Sequence, residues 1–232
     1  SFLHPVLDSL HLSASETTVD AIAGTVTIVH LATPSPASLY ARVCPAPRPK
    51  LTGFVIGQVR DVDSDSPIGG AIVSSAWDEL VVANGTAQLQ TTGHRAATAA
   101  SGGFVFCGVP TDAPFTLRAA SGGANAGPIE LTLGALLVAS VDLAVSRAPA
   151  GQGRLATLRG TVRRADGNPL AGAIISSDAA NEPVRTDAAG LFTLAGIVPG
   201  TRVIEVKGLG LTPLTVVMDF RSGAAIDTTF TL

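Results

Sequence analysis

Charged side chains make up 14% of this sequence and aromatic ones 4%, and it holds two cysteines, one tryptophan and one tyrosine. Each scarcity excludes something. With 15 Lys and Arg against 18 Asp and Glu, a net charge of −3 leaves no basic surface of the kind that tracks nucleic acid. The 46% hydrophobic content excludes a disordered chain, which carries many charges and few apolar groups. No apolar run approaches the roughly 18–20 residues of a membrane-spanning helix. A basic stretch followed by an apolar one is also missing, so a secretion signal is expected to have been removed or never present. No helical stripe stands out: Leu133 to Leu143 is apolar, but Gly134, Val138 and Val141 favour a strand. With few rings available, the cores must be built from Val, Ile, Leu and Ala.

Catalytic constellations are missing as well. Serine is abundant, yet no Gly-x-Ser-x-Gly elbow exists to expose a nucleophile. His4, His11, His30 and His94 lie far apart, with no Cys or His at metal-ligand spacing.

What the chain has is turns and a repeat. Its 25 glycines and 15 prolines show no collagen-like period, and they separate short apolar runs, the mark of brief strands joined by tight turns. Pro67-Ile68-Gly69-Gly70-Ala71-Ile72-Val73-Ser74-Ser75 matches Pro169-Leu170-Ala171-Gly172-Ala173-Ile174-Ile175-Ser176-Ser177 without a gap. Gly57 to Arg60 matches Gly160 to Arg163, and Phe104 to Gly108 matches Phe192 to Gly196. Gly134–Leu143 and Gly223–Leu232 each read as a closing strand, and Gly24–Leu31 resembles them. Four matched blocks in one order mean repetition.

The expected organisation is therefore the tail of a first sandwich over 1–33, a proline-rich linker over 34–50 and a second sandwich over 51–145. A linker over 146–157 and a third sandwich over 158–232 complete it. The first linker should be stiff and extended, the second looser. Alternation in Thr201 to Val206 and Ala225 to Leu232 predicts strands with one face inward, packed as two antiparallel sheets. Relative to the third unit, the second carries about fourteen extra residues between Ser75 and Gly108, read as a lengthened hairpin around Asn84-Gly85.

The pattern in Leu158–Leu232, with Asp166-Gly167-Asn168-Pro169-Leu170-Ala171-Gly172-Ala173 and Thr186-Asp187-Ala188-Ala189-Gly190-Leu191-Phe192, resembles the carboxypeptidase regulatory-like family. The resemblance is looser over Leu51–Val145 and partial over Ser1–Thr33. It implies an all-β fold of tandem seven-stranded transthyretin-like sandwiches, the first one incomplete. It also implies a secreted, cell-surface or periplasmic location, a spacer, accessory or docking role, and no catalytic residues. Transthyretin-like folds include a purine-pathway hydrolase with a His-rich site and a Tyr-Arg-Gly-Ser-like terminus. This chain ends Thr229-Phe230-Thr231-Leu232, which departs from it.

An oxidising compartment makes the even cysteine count meaningful: Cys44 and Cys107 are expected to form a disulfide, two free thiols being the alternative. Asp61-Val62-Asp63-Ser64-Asp65 has a spacing that can present three carboxylates to calcium. It lacks the glycine and distal Glu of a full loop, so a solvated hairpin turn is the competing reading. Asn84-Gly85-Thr86 is both a glycosylation sequon and a tight-turn sequence, and the turn is preferred. Trp77 and Tyr40 are read as packing residues rather than as a sugar platform.

Two functions fit. One is a non-enzymatic structural or adhesive protein, the subunit of a filament or surface assembly, whose residues 1–31 are completed by strands from a neighbouring copy, residues upstream of those given being the alternative. The other is an accessory portion of a larger secreted enzyme or outer-membrane receptor. The residues name no cofactor other than the candidate calcium, no nucleic acid and no ligand.

Overall fold

The structure is a computed structural model that describes residues 18, 20, 23–24, 26, 28, 35–83, 85–148, 154–180 and 182–232. Most of the stretch expected to form a partial first sandwich, with His4, His11 and His30, lies outside the described residues. The described chain is all-β apart from one short helix and one 3₁₀ turn, and its sheets are arranged as sandwiches. It forms two compact units. One gathers residues up to Gly57 with Val105–Pro114 and Thr132–Val141; the other gathers Gln58–Phe104, Phe115–Leu131 and Asp142–Leu232.

In the first unit the expected extended linker is instead partly helical. Helix α1, Pro36–Val43, is capped by the Ser35 hydroxyl, which accepts the Ser38 N–H at 3.2 Å. Proline follows directly at the first helical position, where its missing N–H costs nothing. The helix is retained by burial: Leu39 and Tyr40 pack on Phe54 and Ile56 of strand β1, Thr52–Asp61. Tyr40 meets Phe54 edge to face, with ring centroids 5.8 Å apart.

The expected strand Gly134–Leu143 is also corrected. Gly134–Leu136 is a 3₁₀ turn, Leu137 is left-handed at φ 61°, and only Val138–Ser140 pairs with Phe54–Ile56, in parallel. Local bonds replace a continuous ladder: Phe54 N–H donates to the Leu137 carbonyl and Gly134 N–H to that of Thr111.

The second unit carries the long hairpin. Strands β2, Ile72–Ala83, and β3, Thr86–Ala97, pair without a slip from Ile72↔Ala97 to Ala83↔Thr86. Strands β5, Phe115–Ser121, and β6, Ala124–Leu131, extend this sheet in the order β3-β2-β5-β6. Beyond Ala76 strand β2 has left β5 behind, so the hairpin continues as a two-stranded arm.

Residues 156–231 build a sandwich with its own core. One sheet holds β9, Ala156–Arg163, between β12, Leu191–Ile197, and β15, Ala225–Thr231. The other pairs β13, Gly200–Lys207, with β10, Ile174–Ser177, and β14, Leu214–Phe220. Leu158, Ile175, Leu194, Ile204 and Phe220 are fully buried between them, and Phe192 stacks on Phe230 at 5.9 Å. The sheets are mixed rather than antiparallel throughout, because β15 runs parallel to β9. A Cβ on Gly160 would lie 1.9 Å from the Thr228 carbonyl oxygen of that parallel partner, so only glycine admits the close approach.

The sequence repeat is a repeat of bonds. Thr186 Oγ1 donates to the Leu170 carbonyl at 2.6 Å and accepts the Ala173 N–H at 2.9 Å. Thr98 does the same with Ile68 and Ala71, at 2.6 and 3.0 Å. Gly70 and Gly172, between those partners, adopt φ of 75° and 74°, and a Cβ at either would meet nothing. Their requirement is conformational rather than steric.

Candidate functional site

The acidic run at the end of β1 gives each of its carboxylates its own set of protein partners. Asp61 accepts the Ser64 hydroxyl at 2.6 Å and the Arg147 N–H at 3.1 Å. Burial opposes ionisation of Asp61, but these hydrogen bonds outweigh it and hold the carboxyl below its ordinary range. Asp63 takes both the N–H and the hydroxyl of Ser222, each at 2.7 Å. Asp65 pairs with Arg60 and, at 2.6 Å, with Arg221. Asp61, Asp63 and Asp65, the candidate calcium ligands, thus engage different partners. Each carboxylate already has protein donors, and among the described residues no group of three or more His, Cys, Asp or Glu gathers to hold a metal.

These bonds fasten the loop to the end of β14 and the turn that follows it. Arg60 reaches from Asp65 to Asp219. Asp219 accepts the Thr201 hydroxyl at 2.5 Å, and Thr201 accepts the Ala144 N–H at 2.7 Å. Ala144 belongs to strand β8, Leu143–Val145, which runs parallel to Val59–Asp61 and meets β13 at Gly200↔Val145. A hydrogen-bonded seam thus joins the 58–145 portion of this unit to the 156–231 sandwich.

A second node of that seam is a buried arginine. The Arg202 side chain is 1% exposed. Its guanidinium donates at 2.8 Å to each of the Val198 carbonyl, the Pro199 carbonyl and Asn125 Oδ1 on β6. Burial lowers its pKa from the ordinary value, and Asp178 at 4.0 Å opposes that shift. Sequence reading did not single out Arg202, although the signal was present: it shares the alternation parity of Ile204 and Val206, the inward face of β13.

In the first unit Cys44 and Cys107 are joined, with Cα atoms 5.8 Å apart, as expected. Cys44 caps the C-terminus of α1 through its N–H to the Tyr40 carbonyl, so the bond anchors the helix to strand β4, Gly103–Pro110. Trp77 is buried, donates Nε1–H to Glu79 at 2.7 Å and packs on His94 at 5.2 Å between ring centroids. Tyr40 is buried as well, so neither ring offers a sugar platform. Asn84 lies outside the described residues, and Gly85 beside it has φ 74°. No helix among the described residues is long and apolar enough to cross a membrane.

No curated protein matches the sequence. Among solved structures, the chain resembles the dioxygenase domain of a carbohydrate-binding fusion from Streptomyces sp. SirexAA-E. Identity is 17%, 36% of this chain and 82% of that one are covered, and the TM-score is 0.30. It resembles the shaft pilin spaA from Lactobacillus rhamnosus GG at 12% identity over 78% of this chain and 97% of that one, TM-score 0.30. A Streptococcal ancillary pilin overlaps at 11% identity over 79% and 64%, TM-score 0.29. Scores at this level carry no functional argument. The sequence-level match is firmer, and it falls on the sandwich whose turns and core are described above: residues 157–232 match the carboxypeptidase regulatory-like domain.

Proposed function

We propose that this chain is a non-enzymatic structural or adhesive protein of the cell surface or extracellular space, in which successive sandwich repeats serve as a firm spacer. The observation that carries this reading is the seam. Arg202–Asn125, Asp63–Ser222 and Thr201–Ala144 fix one repeat to the next with short bonds, where a chain needing mobile modules would have only a linker. The Cys44–Cys107 bond supports an oxidising location. Self-association through the stretch before residue 32 is part of the proposal, and the exposure of Val26 and Ile28 supports it. The runner-up, an accessory portion of a larger secreted enzyme or receptor, is favoured by the regulatory-like match over 157–232.

The mass of the native particle separates the two. A polymer of one chain supports the first reading, and a covalently attached large domain supports the second. Deleting Ser1–Leu31 should leave the disulfide and the seam intact while abolishing any polymer. Assembly by the truncated chain would remove strand completion from the proposal.

A further inference from the structure

The outer face of the β2–β3 arm takes no part in the seam. On it, Ser74 of β2 is paired with Arg95 of β3 on one side and with Arg118 of β5 on the other. Two arginines therefore flank one hydroxyl in a row across three strands. Their Cα atoms are two strand spacings apart, about 9–10 Å, which two long side chains can close over one carboxylate. Neither arginine has an ion-pair partner among the described residues. The row lines a cleft of about 680 Å³ that Ile72 and Pro128 help to wall. Asp178 also borders it, but that carboxylate accepts the Val203 N–H at 2.9 Å and stands 4.0 Å from Arg202. The charge left unanswered in the cleft is positive.

The same face continues along the arm. Next come Ala76 and Gly93, which leave the ribbon flat, then Asp78, whose carboxylate accepts the Thr91 hydroxyl at 2.7 Å. Beyond them Leu80 faces Leu89, both about 70% exposed, and Val82 faces Ala87. Opposed leucines left in water on a two-stranded ribbon are unfavourable, and such patches mark contact sites. From Ser74 to Val82 the face runs about 26 Å at the rise of a strand.

We propose that this face docks an extended acidic polypeptide segment of about eight residues. An Asp or Glu carboxylate sits between Arg95 and Arg118, and apolar side chains at the other end cover Leu80, Leu89 and Val82. The charge selects a carboxylate, while the distant apolar end selects a polypeptide over a free anion. This docking does not depend on whether the chain polymerises.

The test is fluorescence anisotropy on the full oxidised chain with two labelled ten-residue peptides. One carries two glutamates followed by alternating threonine and leucine, and the other replaces both glutamates by glutamine. The glutamate peptide should bind about tenfold more tightly than its partner, and its affinity should fall between low and high salt. The double variant Arg95→Gln/Arg118→Gln should erase the difference between peptides. Leu80→Ser/Leu89→Ser should weaken both peptides about tenfold, with thermal melts matching the unsubstituted chain. Equal binding of the two peptides by the unsubstituted chain, or no saturable binding, would overturn the proposal without recourse to any variant. Complete displacement of the peptide by free glutamate, with the leucine variant unaffected, would reduce the site to one for small anions and equally overturn it.

Discussion

Replacing Arg202 by methionine keeps an unbranched apolar stem and removes the guanidinium with its donors. Three hydrogen bonds of 2.8 Å disappear, to Val198 O, Pro199 O and Asn125 Oδ1. Hydrogen bonds from a charged group contribute about 1.5–3 kcal/mol each, but a buried guanidinium also carries a desolvation cost that methionine does not. The two effects oppose each other, and a net loss of about 3 kcal/mol remains. Asp178 adds little to this, since it is 4.0 Å away and keeps the Val203 N–H. Asn125→Ala loses one of the three bonds and should cost about 1 kcal/mol. Because that bond is already absent in Arg202→Met, the double variant should fall short of additivity by about 1 kcal/mol. Urea unfolding of the intact oxidised chain, followed by circular dichroism and by Trp77 fluorescence, measures all three. For a unit of this size Tm should drop by roughly 6–12 °C in Arg202→Met. A loss below about 1 kcal/mol, or strict additivity with Asn125→Ala, would refute the claim that Arg202 ties β13 to β6.

Asp61→Asn should destabilise the chain at neutral pH. The folded carboxyl lies below its ordinary value of 3.8, so its contribution is present above about pH 4 and is lost as pH falls through the folded pKa; stability curves of variant and parent should converge as the pH falls below about 4. Gly172→Val should cost about 2 kcal/mol because φ is 74° there, whereas Ala171→Val, one residue earlier on the surface, should change the melting temperature little. Opening the disulfide through Cys44→Ser/Cys107→Ser frees a loop of 63 residues and should cost about 4 kcal/mol on the chain-entropy account, read by thermal melts against the oxidised parent.

The repeat was legible because its determinants are local. Gly70 and Gly172 are written into the sequence by the turn they make, and the Pro-x-x-Gly-Ala blocks align without a gap. Thr98 and Thr186 carry the same kind of local signal, each four residues before Gly102 or Gly190. The hairpin arm was legible from the insertion and its Asn84-Gly85 turn. Helix α1 was not, since eight residues show too little period to outweigh four flanking prolines, and its stability comes from Phe54 and Ile56. Nor was the parallel pairing of β15 with β9, because alternation identifies a strand without naming its neighbour or direction. The seam was the least accessible part: Asp63 and Ser222 are 159 residues apart, and no spacing rule spans that distance.

The acidic loop is where local reading and distant packing diverge most. In the last repeat the corresponding turn closes on itself: Asp166 accepts the Asn168 N–H at 3.0 Å and its side-chain amide at 3.1 Å, and these bonds lower its pKa. The loop in the middle repeat is one residue longer, with Val59 eight positions before Pro67 where Val162 is seven before Pro169. The extra length carries Asp63 and Asp65 past the reach of a local turn, and Asp65 adopts φ 58° to make the bend. Three carboxylates within five residues repel one another unless positive charge or donors separate them. A cation is one solution, with all three drawn to a common point. The other is to disperse them onto separate donors, which Arg60, Arg221 and the Ser222 N–H provide. The dispersed arrangement sets Asp63 and Asp65 against residues 219–222, so the acidic spacing also records the contact between successive repeats.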